Sequence, residues 1–149
     1  MIRYATIDDL DFMMDLCREF YTETNSDRYF GFDDKSVEIT LKNAIAYDFI
    51  ITDGENGILV FHIYPTFYNF KELILGELFF YVRKDISPML RGIIACQLLE
   101  RIDEEAEKHS VRHVKINNMI RYRHDNVSKL YERFGFELRE NEFMKDYEV

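Results

Sequence analysis

The sequence predicts an α/β fold with a mixed, mostly antiparallel sheet in the order βααβββαβαββ and helices on both faces. Three observations lead there. Apolar residues recur at helical spacing in some segments and alternate in others. Antiparallel hairpins come first along the chain, and strand–helix–strand crossovers follow. An apolar run, Leu78 to Val82, precedes a short turn with Arg91-Gly92 and a long amphipathic segment, Leu98 to Lys108. A helix opening straight after a strand presents unpaired N–H groups at its first turn. Those donors and the helix dipole favour a phosphate-bearing ligand.

Ile2 to Ala5 reads as a short strand. Thr6 with Asp8 and Asp9 is a helix-start signal, because Thr6 can cap and the acids favour the positive end. Leu10, Met13, Met14, Cys17, Phe20 and Tyr21 then predict a helix over Asp8 to Tyr21. Thr22 to Phe32 is polar, then aromatic, and reads as a loop. Asp33 or Asp34 caps a second helix through Ile39, Leu41 and Ala44. Tyr47 to Thr52 and Gly57 to Tyr64 are strands joined by the hairpin turn Asp53-Gly54-Glu55-Asn56.

Pro65 to Phe70 is an aromatic turn, and Lys71 to Val82 a long strand. A helix over Leu90 to His109 and a strand over Val111 to Asn117 follow. Asp125 or Asn126 caps a helix to Phe134, which Gly135 terminates. Phe136 to Arg139 and Glu142 to Tyr147 close the prediction as two strands around Glu140-Asn141. Ligands in such sheets bind at the carboxyl ends of strands, so the turn after Val82 is the candidate site.

The 149 residues read as a single domain, 1–149, and the 47% hydrophobic content is enough for a core. The net charge of −9 disfavours nucleic-acid binding and suits a cationic small molecule or basic peptide; keeping the protein soluble explains it equally well. Two cysteines, Cys17 and Cys96, are too few for a disulfide framework or a zinc cluster. No signal-peptide layout opens the sequence and no apolar run reaches membrane-spanning length, so the expected setting is cytoplasmic with no membrane partner. His62, His109, His113 and His124 are scattered without metal-ligand spacing, and no metal is expected.

Two places carry a resemblance. One is Glu77-Leu78-Phe79-Phe80-Tyr81-Val82, then Pro88, Arg91 and Gly92, then Leu98-Leu99-Glu100 and Glu104-Glu105-Ala106. The other is Asn126-Val127-Ser128-Lys129-Leu130-Tyr131-Glu132-Arg133-Phe134-Gly135-Phe136. With the element order, these resemble the GCN5-related N-acetyltransferase superfamily. The second is similar to the family's Asn…Leu-Tyr-x-x-x-Gly-Phe signature and is the more specific. The first departs from the family's Arg or Gln, two residues, Gly, one residue, then Gly or Ala. Aligned on Arg91, it places Ile94 and Cys96 at the small-residue positions. Aligned on Leu98-Leu99, it places Leu90, Ile93 and Ala95 at the motif positions. Either way an isoleucine stands where a glycine would, and its Cβ crowds the approach of a pyrophosphate.

The resemblance implies acetyl transfer from acetyl-CoA to an amine by direct attack, without a covalent enzyme intermediate. Pyrophosphate would sit on the amides of Arg91, Gly92, Ile93, Ile94 and Ala95. The strand through Phe80, Tyr81 and Val82 would splay from its neighbour and hold the pantetheine arm. The Val82 N–H would polarise the thioester carbonyl, and Asn126 would hold the arm from the other side. Tyr131 is the implied acid: a thiol leaves with a pKa of about 8.5 and a tyrosine of about 10 can donate to it. Ring packing on an amphipathic helix is the alternative. Glu77 is the candidate base, its carboxyl raised by aromatic neighbours such as Phe79; a solvated strand residue or an anchor for the acceptor's charge is the alternative.

The acceptor side falls on Thr22 to Phe32 and His62 to Tyr68. Tyr29, Phe32, Tyr64 and Tyr68, with Glu23, Asp27 and Phe67, would form an acidic, aromatic lining for an ammonium, or else an aromatic core under long loops. The basic cluster Arg121-Tyr122-Arg123-His124 meets a 3′-phosphate or solvent. The acceptor is then a small-molecule or peptide amine. A homodimer enters because the last strands often pair between subunits in this family. The competing function is a catalytically weak or inactive regulator or interaction module on the same fold.

Overall fold

The computed structural model describes residues 1–118 and 123–148. The strands are β1 (Arg3–Tyr4), β2 (Ile50–Thr52), β3 (Gly57–Pro65), β4 (Leu73–Val82) and β5 (His113–Lys115). The helices are α1 (Leu10–Glu23), α2 (Asp34–Ala46), α3 (Pro88–Lys108) and α4 (His124–Arg133). The five strands lie side by side in sequence order. β1 to β4 pair antiparallel, and β5 joins β4 in parallel after the α3 crossover.

Local chemistry sets the element ends. Thr6 and Asp9 form a capping box, and Asp9 also takes both guanidinium nitrogens of Arg3 at 2.8 and 2.9 Å. The start of α1 is therefore tied to β1. Asp33 caps α2 by accepting from the Ser36 N–H at 2.9 Å. In the β2–β3 turn the Asp53 carboxylate accepts from the N–H groups of Glu55, Asn56 and Gly57. Burial alone would raise its pKa, but these donors win and hold it below the ordinary carboxylate range. Its contribution to stability is present at neutral pH and is lost as pH falls through that depressed value. Asp53→Ala orphans three donors and is expected to lower stability by about 1–3 kcal/mol in a urea melt. An unchanged midpoint would reject this role.

The sheet is packed on both faces. α1 and α2 cover Ile50, Ile58, Val60 and Tyr81 on one side. α3 covers Ile51, Leu59, Phe61, Leu75 and Val82 on the other, through Ile94, Leu98 and Ile102. Gly57 lets α3 sit close, since a Cβ there would meet Val82 and Ile94 carbons at 3.0 and 3.1 Å. One charged side chain is buried in α3: Glu105, 1% exposed, accepts from the Tyr4 hydroxyl at 2.7 Å and from Arg101 at 3.1 Å. These bonds offset its desolvation and tie β1 to α3.

Two expectations need correction. The final strands, Phe136 to Arg139 and Glu142 to Tyr147, do not form; the chain from Phe136 to Glu148 carries no secondary structure. Beyond Phe136 its apolar side chains gain no core, and Phe143 is 93% exposed. A two-stranded hairpin is marginal without a sheet edge to join, and the three-residue β5 offers little of one. Helix α3 also opens earlier than Leu90, because Ser87 caps it and Pro88 occupies its first position.

Candidate active site at a split between two strands

The parallel ladder of β4 with β5 pairs Ile74, Leu75 and Gly76 with His113, Val114 and Lys115, and then stops. β4 runs on to Val82. Among the described residues no strand pairs with it beyond Gly76 on that side. The sheet therefore splits between β4 and β5 beyond Gly76, with a backbone edge of β4 facing the gap.

Glu77 is the first residue past the ladder. Its carboxylate accepts from the Asn117 backbone N–H at 3.0 Å, where an unsplit sheet would continue the backbone ladder. A bulge aims it there. The β3 register pairs Phe79 with Val60 and Glu77 with Phe61, so Leu78 is an extra residue. In an unbroken strand Glu77 and Phe79 would share a face. Here Phe79 packs toward α1, and Glu77 shares the opposite face with Phe61. Phe79 is thus not the ring beside the carboxyl. Burial pushes Glu77 up to about 7, against the pull of the Asn117 donor. A carboxyl at that value is divided between acid and base at neutral pH.

Tyr131 reaches the same asparagine from the other side, its hydroxyl donating to the Asn117 carbonyl at 2.9 Å. Burial, together with the charge of Glu77, holds the phenol above its ordinary value, so it stays protonated. The ring lies between Phe80, at 6.5 Å between centroids, and Phe136, at 5.9 Å. The Gly-Phe pair explains this placement. Gly135, at φ 84°, ends α4, with its N–H bonded to the Glu132 carbonyl and the Phe136 N–H bonded back to the Tyr131 carbonyl. That is a Schellman closure, and it folds the Phe136 ring onto Tyr131. A further bond, Asn118 Nδ2 to Ser128 Oγ at 2.7 Å, docks α4 against the end of β5.

At the far end of the gap, Arg91 Nε donates to the Val82 carbonyl at 3.0 Å, with its guanidinium 5.6 Å from the Tyr81 ring centre. Lys84 pairs with Glu23, joining the turn after β4 to the end of α1. The first turn of α3 is largely self-satisfied. Pro88 has no N–H, Leu90 N–H bonds Ser87 Oγ, and Arg91 N–H bonds the Ser87 carbonyl.

A cavity of about 480 Å³ opens on the opposite face, between α1, α2 and the β4 bulge. Leu78 and Phe79, the two residues after Glu77, form part of its wall.

No protein-family model matches this chain. No curated protein matches its sequence. Solved structures do match along nearly its whole length. A ribosomal-protein-alanine N-acetyltransferase from Brucella melitensis biovar Abortus 2308 superposes with a TM-score of 0.71 at 17% identity, over 99% of this chain and 98% of that one. A predicted acetyltransferase from Clostridium acetobutylicum, solved with acetyl-CoA, gives 0.68 at 16% identity, over 98% and 95%. A transcriptional regulator from Bacillus halodurans C-125 gives 0.70 at 17% identity, over 99% of each.

The chain has the acetyltransferase fold. On this acetyltransferase fold, Glu77, Phe80 and Tyr131 come together at the split, as Tyr81, Val82 and Arg91 do at its far end. Of the residues expected on a pyrophosphate, Gly92 and Ile93 are exposed on α3 and Ala95 is half-buried. Ile94 faces inward and packs in the core. Because α3 opens at Pro88 rather than Leu90, the amides of Arg91 to Ala95 lie past its first three residues. Asn126 stands exposed in the first turn of α4.

The four acceptor-side aromatics are dispersed. Phe32 lines the cavity; Tyr29 packs against Phe30; Tyr64 packs on His62 across Gly76; Tyr68 is 94% exposed on the β3–β4 turn. In the basic cluster, Arg121 and Tyr122 lie outside the described residues. Asn117 had no role in the sequence reading. Its N–H and carbonyl take Glu77 and Tyr131, and its side-chain amide also donates to the Glu77 carbonyl at 3.4 Å; main-chain roles are not displayed by sequence, and the one visible mark is an Asn-Asn pair where a strand should end.

Proposed function

We propose that this protein transfers an acetyl group from acetyl-CoA to a primary amine, by direct attack with both substrates bound. One observation carries the reading: Glu77 and Tyr131 converge on Asn117 at the opened edge of β4. Acetyl-CoA supplies an acetyl group already activated as a thioester. In this reading the open β4 edge from Phe79 to Val82 offers backbone partners to its amide-bearing arm, and the Val82 N–H polarises the carbonyl. Glu77 accepts the proton that the acceptor ammonium must lose before it can attack. Tyr131 holds its proton at neutral pH and donates it to the departing thiolate. The acceptor is a small-molecule or peptide amine.

The test is release of free coenzyme A thiol from acetyl-CoA in the presence of a panel of amines. Amine-dependent release supports the reading, and none with any amine overturns it. Arg91→Ala is expected to weaken acetyl-CoA binding about tenfold by loosening the end of β4 and removing a cation. Unchanged affinity would place the phosphates elsewhere.

A specific feature favours a second reading, a regulator or interaction module with little catalysis. Ser87 and Pro88 leave few donors for a pyrophosphate in the first turn of α3, and Ile93, 47% exposed, stands where the family motif has a glycine in one alignment. Failure to bind coenzyme A would select it.

A further inference from the structure

We propose that the tip of the β3–β4 hairpin is a peripheral anchor that seats its aromatic rings in the interface of an anionic phospholipid membrane. Phe67 is 90% exposed, Tyr68 94% and Phe70 82%. Large apolar rings are usually buried, and a contiguous exposed cluster of them marks a contact surface. The turn beneath the rings is closed by its own hydrogen bonds. The Thr66 N–H donates to the Glu72 carbonyl at 2.8 Å, and the Glu72 N–H to the Asn69 carbonyl at 3.0 Å. The Thr66 hydroxyl donates to the Asn69 carbonyl and accepts from the Asn69 N–H, while Asn69 Oδ1 accepts from the Lys71 N–H. The polar side chains are thus engaged within the turn and the rings are left outside it. Little ordering remains to oppose binding.

Charge names the occupant. The chain is acidic overall at −9, yet the exposed cations Lys71 and Arg112 flank this tip. Arg112 is fixed at the base of the hairpin by its N–H, which donates to the Leu73 carbonyl at 2.7 Å. Neither cation pairs with a carboxylate among the described residues. Glu72 is the one acid in the turn, and it is half-buried. Headgroup phosphates complement the cations, and aromatic rings favour the headgroup level. Screening limits repulsion from the acidic remainder to about 8 Å at physiological salt, so the charge at the contact decides. Phe67 and Tyr68 meet edge-on, with planes 89° apart, which is no stacking platform for nucleic-acid bases. A single protruding turn also falls short of the roughly 20–30 residues that a stable interface takes from each copy. No helix among the described residues is long and apolar enough to cross a membrane, and a peripheral contact needs none. The tip and the split occupy opposite ends of β4, separated by the ladder from Ile74 to Gly76.

The test is cosedimentation of the full chain with vesicles of phosphatidylcholine alone and of phosphatidylcholine mixed with phosphatidylglycerol. The protein is expected to partition onto the mixed vesicles, less onto phosphatidylcholine, and less onto the mixed vesicles as salt rises. Phe67→Ser combined with Phe70→Ser should lower partitioning about tenfold or more on both. Lys71→Glu should lower it severalfold on the mixed vesicles and leave the phosphatidylcholine value unchanged. All three positions are exposed, so the urea midpoints of these variants should match the parent. Absence of cosedimentation with either vesicle, or unchanged partitioning in the double variant, would overturn the proposal. A dimer in ultracentrifugation, or binding of oligothymidylate, that needs Phe67 and Phe70 and comes without vesicle binding would overturn it too, reassigning the tip to a second copy or to nucleic acid.

Discussion

Glu77→Gln is expected to lower kcat/KM about a hundredfold at neutral pH, the scale of a lost general base. Glutamine keeps the size of the side chain and an oxygen for the Asn117 N–H, so the bridge across the split is retained. What it loses is the capacity to take a proton. The pH profile carries the sharper signature. The carboxyl sits at about 7 because burial disfavours its charge. Only its ionised form is a base, so the wild-type rate should rise with pH through about 7 and level off above. Glu77→Gln should lack that limb. Stability moves the other way. Between the ordinary glutamate range and about 7, the folded protein holds a proton that the unfolded chain has released. The Glu77 contribution is therefore full at low pH and is lost as pH rises through that window. A wild-type profile flat across about pH 5 to 9 would remove Glu77 as the base.

Tyr131→Phe is expected to lower kcat by about one to two orders of magnitude while acetyl-CoA affinity changes little. The ring keeps both of its aromatic neighbours, Phe80 and Phe136. The hydroxyl loses its bond to the Asn117 carbonyl, which costs about 1 kcal/mol of stability. A purely structural tyrosine would give that loss with kcat intact, so calorimetry and turnover on the same variant separate the roles. Gln at 77 combined with Phe at 131 should cost less than the sum of the two, because both side chains bond the same asparagine.

Much of this arrangement was legible in the sequence because it is written in periodicity and capping. The apolar spacing from Leu10 to Tyr21 marks a helix because one face must be buried. Asp53-Gly54-Glu55-Asn56 marks a hairpin because its side chain and glycine suit the turn. The Tyr131 to Phe136 spacing is legible for a physical reason: glycine is needed at the left-handed helix end, and the phenylalanine after it lands on the tyrosine. The bulge at Leu78 was not legible, since Leu-Phe-Phe-Tyr-Val is apolar on both strand faces and hides a one-residue slip. Ser87-Pro88 did carry a helix-start signal, but the Arg91-Gly92 pair drew the expected start toward Leu90. The alternating residues of Phe136 to Tyr147 have strand character, yet a strand exists only with a partner edge. The cavity between α1 and α2 was half legible. Phe32 belongs to it, whereas Tyr68 points to solvent, because loop aromatics have no periodicity that fixes their direction.

Titration calorimetry with acetyl-CoA, coenzyme A and desulfo-coenzyme A tests the central claim most directly. Micromolar binding of acetyl-CoA at the opened edge of β4 is expected, with coenzyme A bound comparably through the same arm. Absence of binding at millimolar acetyl-CoA would contradict it and leave the split as the relic of an interaction module.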